Sequence, residues 1–188
     1  VYIILVLFVS HNSYSATILD VCYKNNICTL KHNDKVYPCI VGRNGVTDVK
    51  DKREWDGITP AGSFQLVKAY YRADRLPQNI INSMPIIKEE IKPWSLWADD
   101  SKNHETYNRF VDARKYPEEK PPFSYEKLMR NDGLYDLLYV IDYNLYERRS
   151  GLGSAIFLHI SDNHDHRGSC ISLKRDDLLE LASKITTN

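Results

Sequence analysis

Between residues 18 and 41 the chain alternates three short apolar runs with pairs of residues that tolerate a left-handed backbone, and that punctuation permits little besides a β-meander. The runs are ILDVCY, ICTLKH and VYPCIVG, separated by Lys24-Asn25-Asn26 and by Asn33-Asp34-Lys35. Each is of strand length and rich in β-branched or aromatic residues, and Asn-Asn and Asn-Asp suit tight hairpin turns. Further along, Gly42-Arg43-Asn44-Gly45 and Thr59-Pro60-Ala61-Gly62 mark tight connections, the second feeding the strand SFQLVKAYY at 63–71. The runs LYDLLYVIDY from Leu134 and SAIFLHI from Ser154 are apolar enough for buried strands. At the end, Leu178, Leu179, Leu181 and Ile185 fall at helical spacing behind Asp176 and Asp177, acids that suit a helix N-terminus, so a helix is expected to pack on the sheet. The stretch 73–122 carries most of the prolines and many charges, with helical spacing only at 86–91, and reads as a long elaborated loop insertion.

The first ten residues, VYIILVLFVS, form an unbroken apolar run of signal-peptide length, too short to span a bilayer. Small residues follow at Ser13, Ser15 and Ala16, so residues 1–16 are expected to be an export signal, truncated at its start, with cleavage after Ser15 or Ala16. A first strand is the competing reading, since Val, Ile and Leu suit a core strand equally. Residues 17–188 are of single-domain length. The 25 basic and 25 acidic residues balance, so no basic excess exists to neutralise a phosphate backbone, and nucleic acid is not expected as a partner. No second apolar stretch is long enough to cross a membrane.

Chemistry concentrates in FLHISDNHDHRGSCISL. His159 alternates with Leu158 and Ile160 in a strand, so its ring faces away from theirs. Cys170 follows eleven residues later, behind Arg167-Gly168-Ser169, and a loop of that length can bring it back beside the histidine. In such a pair the imidazole takes the thiol proton, the sulfur attacks a carbonyl, and the imidazolium protonates the leaving amine. Gly168 and the amides around Ser169 and Cys170 are candidate oxyanion donors. A buried cysteine and a satisfied core histidine fit the same spacing. The cluster His159, Asp162, His164, Asp165 and His166 offers metal-ligand types, but its spacing matches no familiar zinc motif, and no metal is expected.

GSAIFLHI from Gly153, then a loop, then GSCISL and a helix resembles the C-terminal signature of the YkuD-type L,D-transpeptidase family. VGRNGV, DKREWDGITPAGSFQL, YYRADRL, YNRFV and LYDLLYVIDYN resemble, in order, further blocks of a proteobacterial branch of that family and cover most of the chain. The resemblance implies a mainly β fold, a mixed-sheet sandwich or barrel-like L,D-transpeptidase domain with a helix after the catalytic cysteine. It implies a periplasmic acyl transfer on peptidoglycan stem peptides, with Cys170 as nucleophile, His159 as general base and no cofactor. Hydrolysis by an L,D-carboxypeptidase and binding without turnover are the alternatives. Two positions depart from the family pattern, since Arg167 and Ser169 stand where Ser or Thr and Gly are usual. The arginine common two places after the cysteine is replaced by Ser172. Arg167, Arg148 or Arg149 is a candidate for a bidentate pair with a stem carboxylate, and Arg53 is a further candidate for binding the acidic stem.

Several other residues have a functional and a plain reading. Lys50, Lys52, Glu54 and Asp56, with Arg53, either line an entrance or form a charged turn. Tyr107, Asn108 and Arg109 either cover the cleft or pack a loop. Trp94 and Trp97 suit a glycan platform or, better, an apolar anchor. Of Cys22, Cys28 and Cys39, one pair suits a disulfide in an oxidising compartment, with Cys22–Cys28 the shortest closure; three buried thiols are the other option.

Overall fold

The computed structural model describes residues 2–7, 17–116, 120–161 and 168–185. In chain order the elements are β1 (Tyr2–Leu7), β2 (Ile18–Lys24), β3 (Ile27–His32), β4 (Lys35–Ile40), β5 (Val46–Asp48), β6 (Thr59–Ala61), β7 (Ser63–Phe64) and β8 (Leu66–Tyr71). There follow α1 (Gln78–Ser83), β9 (Lys88–Glu90), β10 (Ser95–Ala98), β11 (Arg109–Asp112), β12 (Tyr125–Lys127), β13 (Leu137–Ile141), β14 (Phe157–Ser161), β15 (Ile171–Lys174) and α2 (Arg175–Ala182). Among the described residues they build a ten-stranded mixed sheet in the order β7-β1-β2-β3-β4-β15-β14-β13-β8-β9, a three-stranded sheet β11-β10-β12 and a two-stranded pair β5-β6. The mainly β architecture with a C-terminal helix, reached from the cysteine through β15, agrees with the expectation.

The meander forms as its turns dictate. Asn25, Asn26 and Asn33 all have positive φ, the left-handed conformation that two-residue hairpins need and asparagine tolerates. The turn at Asn33-Asp34 fixes the register of β3 on β4, and counting outward from His32–Lys35 sets Cys28 opposite Cys39. These two form the disulfide, with Cα atoms 5.0 Å apart. Cys22 remains a thiol, which corrects the shortest-closure pairing: Cys22 lies across from Thr29 while Cys28 lies across from Tyr23, one residue out of step. The bond closes a loop of 11 residues' separation. Replacing both cysteines by alanine is expected to cost roughly 3 kcal/mol, read as a lower urea midpoint at constant slope.

The apolar run at the N-terminus is paired as strand β1, antiparallel to β2 from Tyr2–Tyr23 through Leu7–Ile18 and parallel to β7. The pairing realises the strand reading of residues that also suit an export signal.

The central strands are buried on both faces, and this explains their unbroken apolar sequence. Leu137, Tyr139 and Ile141 of β13, with Leu158 and Ile160 of β14, join a core that includes Leu178, Leu181 and Ala182 of α2. The alternate residues Leu138, Val140 and Phe157 join a second core with Tyr70, Trp97 and Leu128. The three-stranded sheet covers this second face, and two of its strands, β10 and β11, come from the stretch expected to be a loop. That stretch, 73–122, holds α1, β9, β10 and β11, and the helical spacing at 86–91 falls on β9 instead of a helix. Its strands are of three or four residues, too short for a periodicity to show, and they are fixed by long-range packing such as the edge-to-face contact of Trp97 on Phe157 at 5.1 Å.

Candidate active site

β15 runs parallel to β14, with Leu158 opposite Ile171 and His159 opposite Ser172. Partners across a sheet share a face and neighbours along a strand alternate, so Cys170, one residue before β15, falls on the face of Phe157 and His159. Leu158, Ile160, Ile171 and Leu173 take the opposite face and pack in the first core, whereas Cys170 packs in the second. The fold thus delivers both expected residues to one cavity of about 830 Å³, whose walls also carry Glu54, Asp99, Glu126 and Arg130.

His159 is buried, and its Nδ1 lies 2.7 Å from the carbonyl of Ile160. A carbonyl only accepts, so Nδ1 carries the proton, which assigns the basic lone pair of the neutral ring to Nε2. The ring of Tyr135 meets His159 edge to face at 5.3 Å, and the Tyr135 hydroxyl donates to Glu126 Oε2 at 2.6 Å. Cys170 Sγ donates to the Ala155 carbonyl at 3.3 Å and accepts from the Phe157 N–H at 3.4 Å. Burial, and then the charge of Glu126, push the Cys170 thiol up to about 12. At neutral pH the Cys170 side chain therefore rests as a thiol and not a thiolate.

The turn before Cys170 is tied down from outside. The Thr59 hydroxyl accepts from the Gly42 N–H at 2.7 Å and donates to the Ser169 carbonyl at 2.9 Å, with the Cys170 carbonyl 3.3 Å away. That anchorage depends on close backbone approach, since a Cβ on Gly42 would lie 2.4 Å from the Gly57 carbonyl oxygen. Neither Gly168 nor Ser169 has positive φ, and a Cβ on Gly168 would meet only the Cys170 nitrogen, at 4.0 Å. The substitution of serine for the usual glycine before the cysteine therefore introduces no backbone strain.

The opposite wall is held by Glu54 and Asn108. Glu54 accepts from the Ser154 N–H at 3.2 Å, from its hydroxyl at 3.1 Å, and from the Tyr107 hydroxyl. Asn108 Oδ1 accepts from Trp97 Nε1 at 3.1 Å and from the Ala155 N–H at 3.0 Å. Its Nδ2 donates to the carbonyls of Tyr143 and Asn144. Ala155 sits in the left-handed region at φ 53, a conformation that costs an alanine about 1–2 kcal/mol. These bonds hold it there, with its carbonyl toward the thiol.

The remaining candidates divide. Gly168 and Ser169 line the cavity; Arg53 and Arg148 do not. The Arg53 guanidinium folds back onto the carbonyls of Lys50 and Lys52, at 2.8 and 2.7 Å. Arg148 is a loop residue with positive φ. Arg167 lies outside the described residues, as do Asp162, His164, Asp165 and His166. Among the described residues no three His, Cys, Asp or Glu side chains gather as metal ligands. Among the described residues the cations lining the cavity are Arg43, Lys52 and Arg130. Lys52 is fully buried and paired with Asp56 at 2.7 Å, and Arg130 is paired with Asp132. Trp97 is a core anchor and Trp94 stacks under Arg114, so neither forms a glycan platform in the cavity. Glu126, Asp99, Thr59 and Arg43 were not singled out from sequence. Arg43 lies in VGRNGV and Thr59 in DKREWDGITPAGSFQL, blocks that carry the family resemblance, and that is their signal in the sequence.

Compared with known families, residues 16–188 match the profile of the YkuD family, the L,D-transpeptidase catalytic domain. The chain belongs to this L,D-transpeptidase family. Comparisons with the curated proteins and with the solved structures gave no match. The family match begins at residue 16, where the expected export signal ends, and leaves the first fifteen residues outside it. As an L,D-transpeptidase domain the chain carries His159 on β14 and Cys170 immediately before the parallel neighbour β15. Among the described residues no helix is long and apolar enough to cross a membrane.

Proposed function

We propose that the protein is an exported, cysteine-dependent L,D-transpeptidase acting on peptidoglycan stem peptides, with Cys170 as nucleophile and His159 as general base. The observation that carries the reading is the β14–β15 register, which aims both side chains at one cavity in a chain of this family. His159 Nε2 takes the thiol proton as sulfur attacks the carbonyl at the L-centre. The backbone amides of Gly168, Ser169 and Cys170 receive the oxyanion, and the imidazolium gives its proton to the departing D-amino acid. An amine then attacks the thioester and regenerates the thiol. Arg43 is exposed on the cavity wall and, among the described residues, has no carboxylate partner, so it replaces Arg53 and Arg148 as the candidate for a stem carboxylate.

The deciding test is mass spectrometry of purified peptidoglycan after incubation with the enzyme. New cross-links are expected. Trimmed stems without cross-links would make the protein an L,D-carboxypeptidase, and unchanged peptidoglycan would reduce it to a binding module. Export is checked separately: protein recovered from the periplasm is expected to begin at Ala16, and recovery only from the cytoplasm with residues 1–15 attached would refute it.

A further inference from the structure

The cavity holds an acidic wall that the Cys170–His159 pair does not use. Asp99, Trp97 and Glu126 project from one face of the three-stranded sheet: Trp97 pairs with Glu126 across β10 and β12, and Asp99 follows two residues after Trp97. The other face, with Leu96, Ala98, Val111 and Phe123, is a separate apolar cluster. Asp99 is only 5% exposed, and its Oδ1 has no hydrogen-bond partner among the described residues. Such an atom is costly to bury unless something arrives to pair with it.

Glu126 stands near it and near Glu54, and among the described residues the hydrogen-bond donors to these three carboxylates are neutral. Glu126 has the Tyr135 hydroxyl, Glu54 has Tyr107 and Ser154, and Asp99 has Ser124. The cavity's buried lysine and its second arginine are already taken by Asp56 and Asp132. Burial raises the carboxyls of Asp99 and Glu126; the charge of the adjacent Asp100 raises Asp99 further, and those of Asp99 and Glu54 raise Glu126. An added cation offsets both effects. The acids do not converge as metal ligands, so a compact hydrogen-bonding cation fits them better than a metal ion.

We propose that Asp99 and Glu126 form a subsite for a primary ammonium, the amine end of the acyl acceptor, beside the Cys170 sulfur. The assignment rests on the acyl-transfer reading above. Glu126 is placed for a role at the sulfur itself, since its charge is felt by Cys170 and its partner Tyr135 packs on His159. The bound R–NH3+ gives one proton to the Glu126 carboxylate and becomes a nucleophilic amine. Its nitrogen attacks the thioester carbonyl, the C–N bond forms and the C–S bond breaks. The second N–H proton passes through His159 Nε2 to the departing sulfur, which restores the thiol. Glu126 then releases its proton to solvent. The leaving D-amino acid is itself an amine, so the same subsite serves product exit.

Titration with n-butylammonium chloride tests the subsite without any need for turnover, with the Trp97 indole N–H resonance as reporter and n-butanol as the neutral control. Saturable binding of the cation and none of the alcohol is expected, weakened at least tenfold in Asp99→Asn and in Glu126→Gln when each keeps the wild-type near-UV circular dichroism. No saturable binding by the wild type, or equal binding by both variants, overturns the proposal. A second arm uses a stem tetrapeptide donor and reads the Cys170 acyl-enzyme by intact mass. If the cation binds as expected but no acyl-enzyme forms, the acyl-transfer reading fails while the subsite stands. If the acyl-enzyme forms and the ratio of aminolysis to hydrolysis in Asp99→Asn equals that of wild type, the acceptor role alone fails; a drop of at least tenfold is expected.

Discussion

Cys170→Ala is expected to abolish cross-link formation, a loss of at least about 10⁴-fold, while the far-UV spectrum and the unfolding midpoint stay close to wild type. The side chain packs at the margin of the second core, and alanine keeps the backbone bonds that Thr59 makes to the turn. What disappears is the only atom in the cavity able to form a thioester. A native-like variant that still forms cross-links would remove Cys170 from the mechanism. The thiol's environment adds a pH signature. Because burial and Glu126 hold it up near 12, above an ordinary 9.0, its thiolate fraction at neutral pH is very small. Alkylation of Cys170 by iodoacetamide in the free enzyme should therefore keep rising through pH 10 and 11, where an ordinary cysteine has levelled off. Glu126→Gln removes the second-largest cause of the shift and should move that profile toward lower pH. The same energetics argue against a resting thiolate–imidazolium pair: in the proposed mechanism, proton transfer to His159 accompanies attack, when the negative charge moves to the oxyanion.

How far this site can be read from sequence depends on how local its determinants are. The meander is legible because Asn25, Asn26 and Asn33 specify their own turns, and the second turn also encodes the disulfide, since a two-residue loop fixes every pair beyond it. Counting outward finds Cys28–Cys39 where loop length alone favours the wrong pair. His159 and Cys170 are legible as a pair because one short loop separates two strands. The acidic wall is not, because Glu126 sits in YEK, an ordinary charged triplet, and Asp99 lies just beyond a four-residue strand. Only the packing of Trp97 on Phe157 brings that sheet over the cysteine. Arg53 shows the reverse case: its charge and its place in DKREWDGITPAGSFQL suggest a ligand, but it does not line the cavity, and one nitrogen of its guanidinium donates to carbonyls of its own turn.

Asn108 carries the second large effect, and it joins these two halves. Its side chain uses both donor hydrogens and both acceptor sites of its amide on four partners: Trp97 Nε1, the Ala155 N–H, and the carbonyls of Tyr143 and Asn144. The residue is 2% exposed and adopts φ 54, which asparagine bears more easily than other side chains. Asn108→Ala strands two donors and two acceptors in a dry setting and places alanine in the left-handed region. Each buried unsatisfied group costs about 1–3 kcal/mol, and water entering the space left by the amide recovers part of that. A net loss of about 3–5 kcal/mol is expected, measured as a fall in urea midpoint at unchanged slope. Asn108→Asp tests the pattern more sharply. It keeps both acceptor contacts, but it loses the donors to Tyr143 and Asn144 and buries a charge, so it should be no more stable than the alanine variant at neutral pH and should recover as the pH falls and the carboxyl is protonated. Equal stability of wild type and alanine variant would mean that the three-stranded sheet docks on apolar packing alone. The geometry argues otherwise, because the same amide that anchors Trp97 also holds Ala155 against its backbone preference, with its carbonyl turned to the Cys170 thiol.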